Sequence, residues 1–173
     1  GTDCRDMSTD EAAERLQGVS GSRVILDIQG PPGTRVRKGT FIRRAVTIKS
    51  FPIVTMVDRQ EGIGYIQMTG FQRNSTAELD AALRQLQQQG MRALIWDLRG
   101  NPGGLLDQAT AVLDRFIDNG VLVSTRGRHG QVKKVMRATA PGTWRMPLVV
   151  LIDGDSASAS EIVAGAIHDH QRG

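Results

Sequence analysis

Cys4 is the only cysteine in this chain, so an internal disulfide is impossible and no Cys/His spacing suggests a zinc site. Aromatic residues are also scarce, at 4%, and the basic residues are scattered. A nucleic-acid face, which clusters Arg/Lys among stacking rings, is therefore not expected. No apolar run approaches the ~18 residues of a membrane-crossing helix. Lysine is limited to Lys38, Lys49, Lys133 and Lys134, so arginine carries most of the charge behind a net +4. No G-x-G-x-x-G or P-loop pattern is present, and no cofactor or metal is implied. What remains is ample core material. Hydrophobic residues make up 39% and charged residues 23% of 173 positions, which suits one packed domain, or one domain plus a fragment.

Ser8-Thr9-Asp10 predicts a helix start, with a stop at Gly18. Val24–Ile28 and Ile42–Ile48 predict strands around a Gly30-Pro31-Pro32-Gly33 turn. This unit, residues 1–50, is too small to hold much core alone. Residues 51–61 read as a connector. Ile63–Met68 alternates as a strand, and Ser75-Thr76-Ala77-Glu78 predicts a capping box opening a helix through Leu79, Ala82, Leu83 and Leu86. Ala93–Leu98 is a short apolar strand, followed by a glycine-rich loop and a helix marked by Leu105 to Phe116. Val121–Thr125 and Val132–Ala138 predict a hairpin around Gly127-Arg128-His129-Gly130. Leu148–Ile152 is the last strand. Strands alternating with helices imply an α/β fold of βαβ units with a mainly parallel sheet over residues 62–173.

Between that last strand and a helical segment, Ile162–Ile167, lies Asp155-Ser156-Ala157-Ser158-Ala159-Ser160-Glu161. Strand, small-residue turn and serine-bearing helix is the layout of a nucleophile turn, with free N–H groups at the helix start. From the pattern alone, a plain helix cap is the better reading of the same residues. Ser156 is the natural N-cap of the three serines. Ser160 falls in the first helical turn, where its hydroxyl can bond a carbonyl. Ser158 sits where a side chain can project into a cleft. A serine needs a base. His168 and His170 lie ten and twelve residues beyond Ser158, roughly 15–18 Å along one helix, out of reach. His129 is not excluded by distance. Gly103-Gly104, after a strand and before a helix, suit close backbone approach, and the sequence does not separate them. Asp97 and Arg99 at the strand end suit a structural ion pair that holds this loop.

Three stretches together resemble the carboxyl-terminal processing (tail-specific) proteases. Ser156-Ala157-Ser158-Ala159-Ser160-Glu161-Ile162 resembles the nucleophile segment, Gly64-Tyr65-Ile66-Gln67-Met68-Thr69-Gly70-Phe71 a strand, and Asp97-Leu98-Arg99-Gly100-Asn101-Pro102-Gly103-Gly104 a strand and loop, in the family's order. The resemblance implies a serine endopeptidase that cleaves unstructured protein C-termini with a Ser–Lys dyad. It implies Ser158 as nucleophile, with the N–H of Ala159 and of Gly103 or Gly104 as oxyanion donors. It gives Asp169 a structural or organising place. Residues 1–50 resemble the C-terminal half of a PDZ domain. The family's catalytic lysine lies in a segment that would follow Gly173, so the chain is expected to be a fragment of such a protease, inactive by itself. In bacteria the resemblance implies export, periplasmic or membrane-associated. The rival from another class is a non-catalytic protein that binds peptides or ligands on the same fold.

Overall fold

A computed structural model describes residues 4, 6–31, 33–45, 48–128, 130–139 and 143–173, with the Asp10 side chain excepted. The chain forms two compact units, Gly1–Thr47 and Ile48–Gly173. The expected loop histidine, His129, lies outside the described residues.

The first unit is a helix and a hairpin. Helix α1, Thr9–Leu16, starts at Ser8 through a capping box with Glu11, whose carboxylate accepts the Ser8 N–H at 2.9 Å. Strands β1, Arg23–Ile28, and β2, Arg37–Ile42, pair antiparallel from Arg23–Ile42 to Ile28–Arg37. The second strand thus precedes the Ile42–Ile48 stretch expected from its β-branched residues. The chain leaves the pairing after Ile42. Arg43 then ties back by backbone bonds to Gly21 and Ser22 and by its guanidinium to the Leu16 and Arg23 carbonyls. No described residue of this unit is buried, as its size leads one to expect.

The second unit carries the core. Its strands are β3, Ile53–Asp58; β4, Ile63–Gln67; β5, Ala93–Asp97; and β8, Leu148–Leu151. They form one sheet in the order β3-β4-β5-β8. The β4–β5 and β5–β8 pairs are parallel and β3–β4 is antiparallel. Residues 51–61, expected to be a connector, therefore contribute an edge strand. Val54 and Met56 of that strand turn inward and join the core, which a short stretch of mixed polarity did not advertise. A separate hairpin joins β6, Val121–Arg126, to β7, Val132–Arg137.

Three helices cover the apolar surface: α2, Ser75–Gln88; α3, Leu106–Leu113; and α4, Ala159–Asp169. Leu79, Leu83 and Leu86 of α2 recur at helical spacing and are fully buried, as are Val112 and Leu113 of α3 and Val163 of α4. Trp96 of β5 packs at 5.3 Å between ring centroids on Phe116. The expected capping box at Ser75 does not form. Ser75 Oγ is buried against Ser50 Oγ at 2.6 Å and accepts the Gln72 N–H, while the Glu78 carboxylate accepts the Ser50 N–H at 2.8 Å. Donors of the incoming segment take the box's acceptors, because a buried N–H left unpaired costs more than an uncapped helix end.

Candidate active site

Two loops leave the carboxyl ends of adjacent parallel strands, 98–105 after β5 and 152–158 after β8. In open α/β sheets that edge is where ligands bind. The loops are laced together by short polar bonds. Asp153 Oδ1 accepts the Gly100 N–H at 2.9 Å and the Asp155 and Ser156 N–H groups at 3.1 Å. These bonds, led by that from Gly100, hold the Asp153 carboxyl below its usual range. Ser156 Oγ accepts the Asp153 N–H at 3.0 Å and donates to the Leu98 carbonyl at 2.8 Å. Ser156 is thus a loop anchor. The N-cap expected there is Ser158, because the carbonyl that opens α4 is that of Ser158, accepting the Ile162 N–H at 3.1 Å.

Ser158 is the strained point of the loop. Its φ of 55° and ψ of −112° lie where a Cβ is disfavoured, and the only other described non-glycine residue with positive φ is Gln171. Such a conformation costs about 1–3 kcal/mol and persists only where neighbours over-determine it. Here Glu161 does so: its carboxylate accepts the Ser158 N–H at 2.7 Å. The residue is exposed while Ala159 and Ser160, next in the chain, are buried. Ser160 Oγ does bond a carbonyl, but that of Asn101 across the loop, at 2.9 Å.

The glycines differ. Gly103, with φ of 101°, is buried against the serine turn: a Cβ there would lie 2.8 Å from the Ala157 oxygen and 2.9 Å from Ala159 N and from Ser158 Cβ. Its N–H is already used, donating to Asn101 Oδ1 at 2.9 Å. Gly104, with φ of 143°, is exposed and abuts the Phe71 backbone, forming a parallel bridge to that residue. Among the described residues, the N–H groups of Gly104 and Ala159 have no protein partner.

Beneath the loop, Asp97 is buried and Arg99 grips it twice, Nε–Oδ1 at 3.0 Å and Nη2–Oδ2 at 2.7 Å. The Arg99 N–H and the Tyr65 hydroxyl, at 2.9 and 2.7 Å, complete the carboxylate's shell. The Arg99 guanidinium is the main cause that brings the Asp97 carboxyl down to about 2. Burial first and the Asp97 carboxylate second push the Tyr65 phenol up, so it stays a neutral donor. The ion pair expected from Asp97 and Arg99 is present.

Other candidates stand apart. Asp169 ends the continuous helix α4, about 16 Å along its axis from Ser158. Its side chain is exposed beside His168 Nδ1 at 3.4 Å. His170 Nε2 contacts the Val121 carbonyl at 2.8 Å. A cavity of about 310 Å³ at this far end of α4, lined by Phe116, Asn119, Arg145 and His170, does not include Ser158. All four lysines are solvent-exposed, without the buried setting that a neutral lysine base requires. No cluster of three or more His, Cys, Asp and Glu side chains suited to a metal occurs among the described residues.

Three contributors escaped the sequence reading. Glu161 was legible, because Ser158-Ala159-Ser160-Glu161 is a capping-box pattern. Asp153 could have been suspected as an Asx-turn residue followed by Gly154. Asn101-Pro102-Gly103 signals an Asx-turn to Gly103, but the bonds of Asn101 to Met68, Ala157 and Ser160 have no local signal.

The two loops thus bring together a strained, exposed serine at a helix start, a glycine loop folded against it and one N–H without a protein partner in each segment. Residues 62–173 match the model of peptidase family S41. The chain belongs to peptidase family S41. Among its S41 relatives, the carboxyl-terminal-processing protease of Picosynechococcus sp. is 36% identical over 99% of this chain and 41% of its own length. The carboxy-terminal processing protease CtpA of Bacillus subtilis is 33% identical over 98% of this chain and 35% of its own length. A solved photosystem II D1 C-terminal processing protease superposes with a TM-score of 0.65 at 30% identity, covering all of this chain and 48% of that one. The chain thus spans about two-fifths of the length of these curated S41 relatives. The α/β fold is that of the D1-processing enzyme.

Proposed function

We propose that this chain carries the nucleophile and oxyanion loops of a serine endopeptidase that cleaves unstructured proteins near their C-termini. The observation that carries this reading is the conformation of Ser158: exposed, at positive φ and ahead of an unpartnered Ala159 N–H. Strain of that kind is retained where it has a use. Ser158 Oγ attacks the scissile carbonyl, and the Ala159 and Gly104 N–H groups stabilise the oxyanion that develops. Collapse of this intermediate expels the amine of the C-terminal fragment, with a proton, and leaves an acyl ester on Ser158. Water hydrolyses that ester in the second half. The base is a lysine outside these 173 residues, as the family resemblance implies; the four exposed lysines within them do not suit the task. Asp97, Arg99 and Tyr65 hold the glycine loop, and Asp169 is an organising residue at the helix end.

The substrate class rests on the names of the relatives, which are C-terminal processing proteases. We assign Gly1–Thr47 as part of a PDZ-like module that receives the substrate's free carboxylate, supported by its helix-and-hairpin order and by the absence of buried residues among those described in it.

The test is turnover of an unfolded protein by the whole protein. Ser158→Ala should lower the rate by at least ~10³-fold, leaving only binding and oxyanion contributions. The 173-residue chain alone should not cleave. Absence of turnover by the unmutated whole protein would favour the non-catalytic binding role, and equal turnover with and without Ser158→Ala would remove Ser158 as the nucleophile.

A further inference from the structure

Asn101 is fully buried under the two loops, and every one of its polar groups is engaged. Its Nδ2 donates to the Met68 carbonyl at 2.9 Å, where β4 has ended. Its Oδ1 accepts the Gly103 N–H at 2.9 Å. Its backbone carbonyl accepts the Ala157 N–H at 3.1 Å and the Ser160 hydroxyl at 2.9 Å, and its own N–H donates to Leu98 O at 3.1 Å. One residue therefore joins the end of β4, the glycine loop and both flanks of Ser158.

The side-chain contact to Gly103 has a chemical effect. Successive N–H groups in a glycine loop compete to face the same ligand, and a donor already paired inside the fold is removed from that competition. Gly103 is spent on Asn101, and Gly104 is left without a protein partner. The close approach of Gly103 to Ala157, Ser158 and Ala159 means that any shift of this peptide moves the serine turn as well.

We infer that Asn101 is a positioning residue for acyl transfer: it takes up the Gly103 N–H and holds the Gly103–Gly104 loop against the Ser158 turn, so that the Gly104 N–H is the loop's oxyanion donor. This rests on the acyl-transfer reading above. A donor displaced by about 1 Å forfeits on the order of 10²-fold in rate without weakening substrate binding to the same degree. A buried asparagine that only satisfied the core would affect stability and leave the kinetic constants of the folded protein alone.

Two measurements test it. In the chain itself, amide hydrogen exchange should find Gly103 protected and Gly104 fast, with Asn101→Ala bringing Gly103 to the Gly104 rate. In the whole protein, Asn101→Ala should lower kcat on the order of 10²-fold while KM stays within about threefold. Should that variant not fold, Asn101→Asp serves. Its neutral carboxyl can both donate to Met68 O and accept from Gly103, whereas the ionised form meets the Met68 oxygen with like charge. Its kcat relative to the unmutated protein should therefore rise as pH falls. A folded Asn101→Ala with full kcat, a flat relative pH profile for Asn101→Asp, or a Gly103 amide that exchanges as fast as Gly104 in the unmutated chain overturns the inference alone. Absence of Ser158-dependent turnover in the unmutated whole protein overturns the acyl-transfer reading, and the positioning role with it.

Discussion

The carboxylate of Glu161 accepts the backbone N–H of Ser158 at 2.7 Å, three residues back along the chain. That bond fixes the peptide entering a residue whose φ of 55° is unfavourable for any side chain. Capping and strain are therefore coupled at one position. Removing the acceptor with Glu161→Ala should lower stability by about 0.5–2 kcal/mol, as for a lost helix cap. It should also free the Ser158 backbone to relax, reducing turnover of the whole protein. Glu161→Gln, which keeps an acceptor oxygen, should be milder on both counts. Urea unfolding and steady-state rates measured side by side check this, and equal rates for Glu161→Ala and the unmutated protein would count against it.

The serine turn predicts an ordering of stabilities. Ser158→Ala keeps a Cβ at positive φ and should leave the melting temperature nearly unchanged. Ser158→Gly removes the steric cause of the strain and should raise it, since a glycine is not penalised at this φ and ψ. Ser156→Ala should lower it, because the Leu98 carbonyl and Asp153 N–H lose their shared partner, at about 1–2 kcal/mol. Thermal unfolding of the three variants decides the order; a Ser158→Gly variant less stable than Ser158→Ala would contradict it.

Asp97 predicts acid sensitivity. Its folded-state carboxyl is held at about 2, against 3.8 when unperturbed. The unfolded chain thus binds its proton more readily, and stability is lost as pH falls. The contribution is complete above about pH 5 and disappears as the pH drops through about 2. A shift of this size converts to roughly 2 kcal/mol, and the half-exposed Arg99 partner brings the expectation nearer 1 kcal/mol through solvent screening. Asp97→Asn should be less stable at pH 7, with a smaller fall between pH 5 and pH 2.5. Urea midpoints across that range give the comparison, and parallel curves for both proteins would refute the assignment.

Side-chain substitution will not separate the two glycines. A Cβ at Gly103 meets Ala157 and Ala159 backbone atoms within 3 Å, and one at Gly104 meets the Phe71 backbone just as closely. Gly103→Ala and Gly104→Ala should each destabilise by roughly 2 kcal/mol or more through clash and positive φ. Replacing one backbone N–H by an ester oxygen is the cleaner probe. An ester at Gly104 or at Ala159 should lower kcat by about 10²–10³-fold, as for a lost oxyanion donor. Unchanged kcat with the ester at Gly104 would remove that residue from the oxyanion site.

Much of this architecture is written locally. The leucines of α2 repeat every three or four residues, β5 and β8 are short apolar runs after turns, and the three S41-like stretches are contiguous; each can be read from neighbours in the chain. What was not legible depended on partners far away in sequence. The edge strand β3 became visible only through its pairing with β4, and Ser75 lost its capping role to Ser50, 25 residues earlier. Ser156 exchanged the expected cap for a carbonyl 58 positions back. The sequence by itself determined the alternation of strands and helices, the serine-rich turn and the glycine loop, because periodicity and small residues act over a few positions. Only the tertiary structure decided which serine is strained and which glycine N–H is free. Both depend on the conformations of the β5 and β8 loops, which the parallel pairing of their strands sets side by side and which the bonds from Gly100 to Asp153 and from Ala157 and Ser160 to the Asn101 carbonyl lock together.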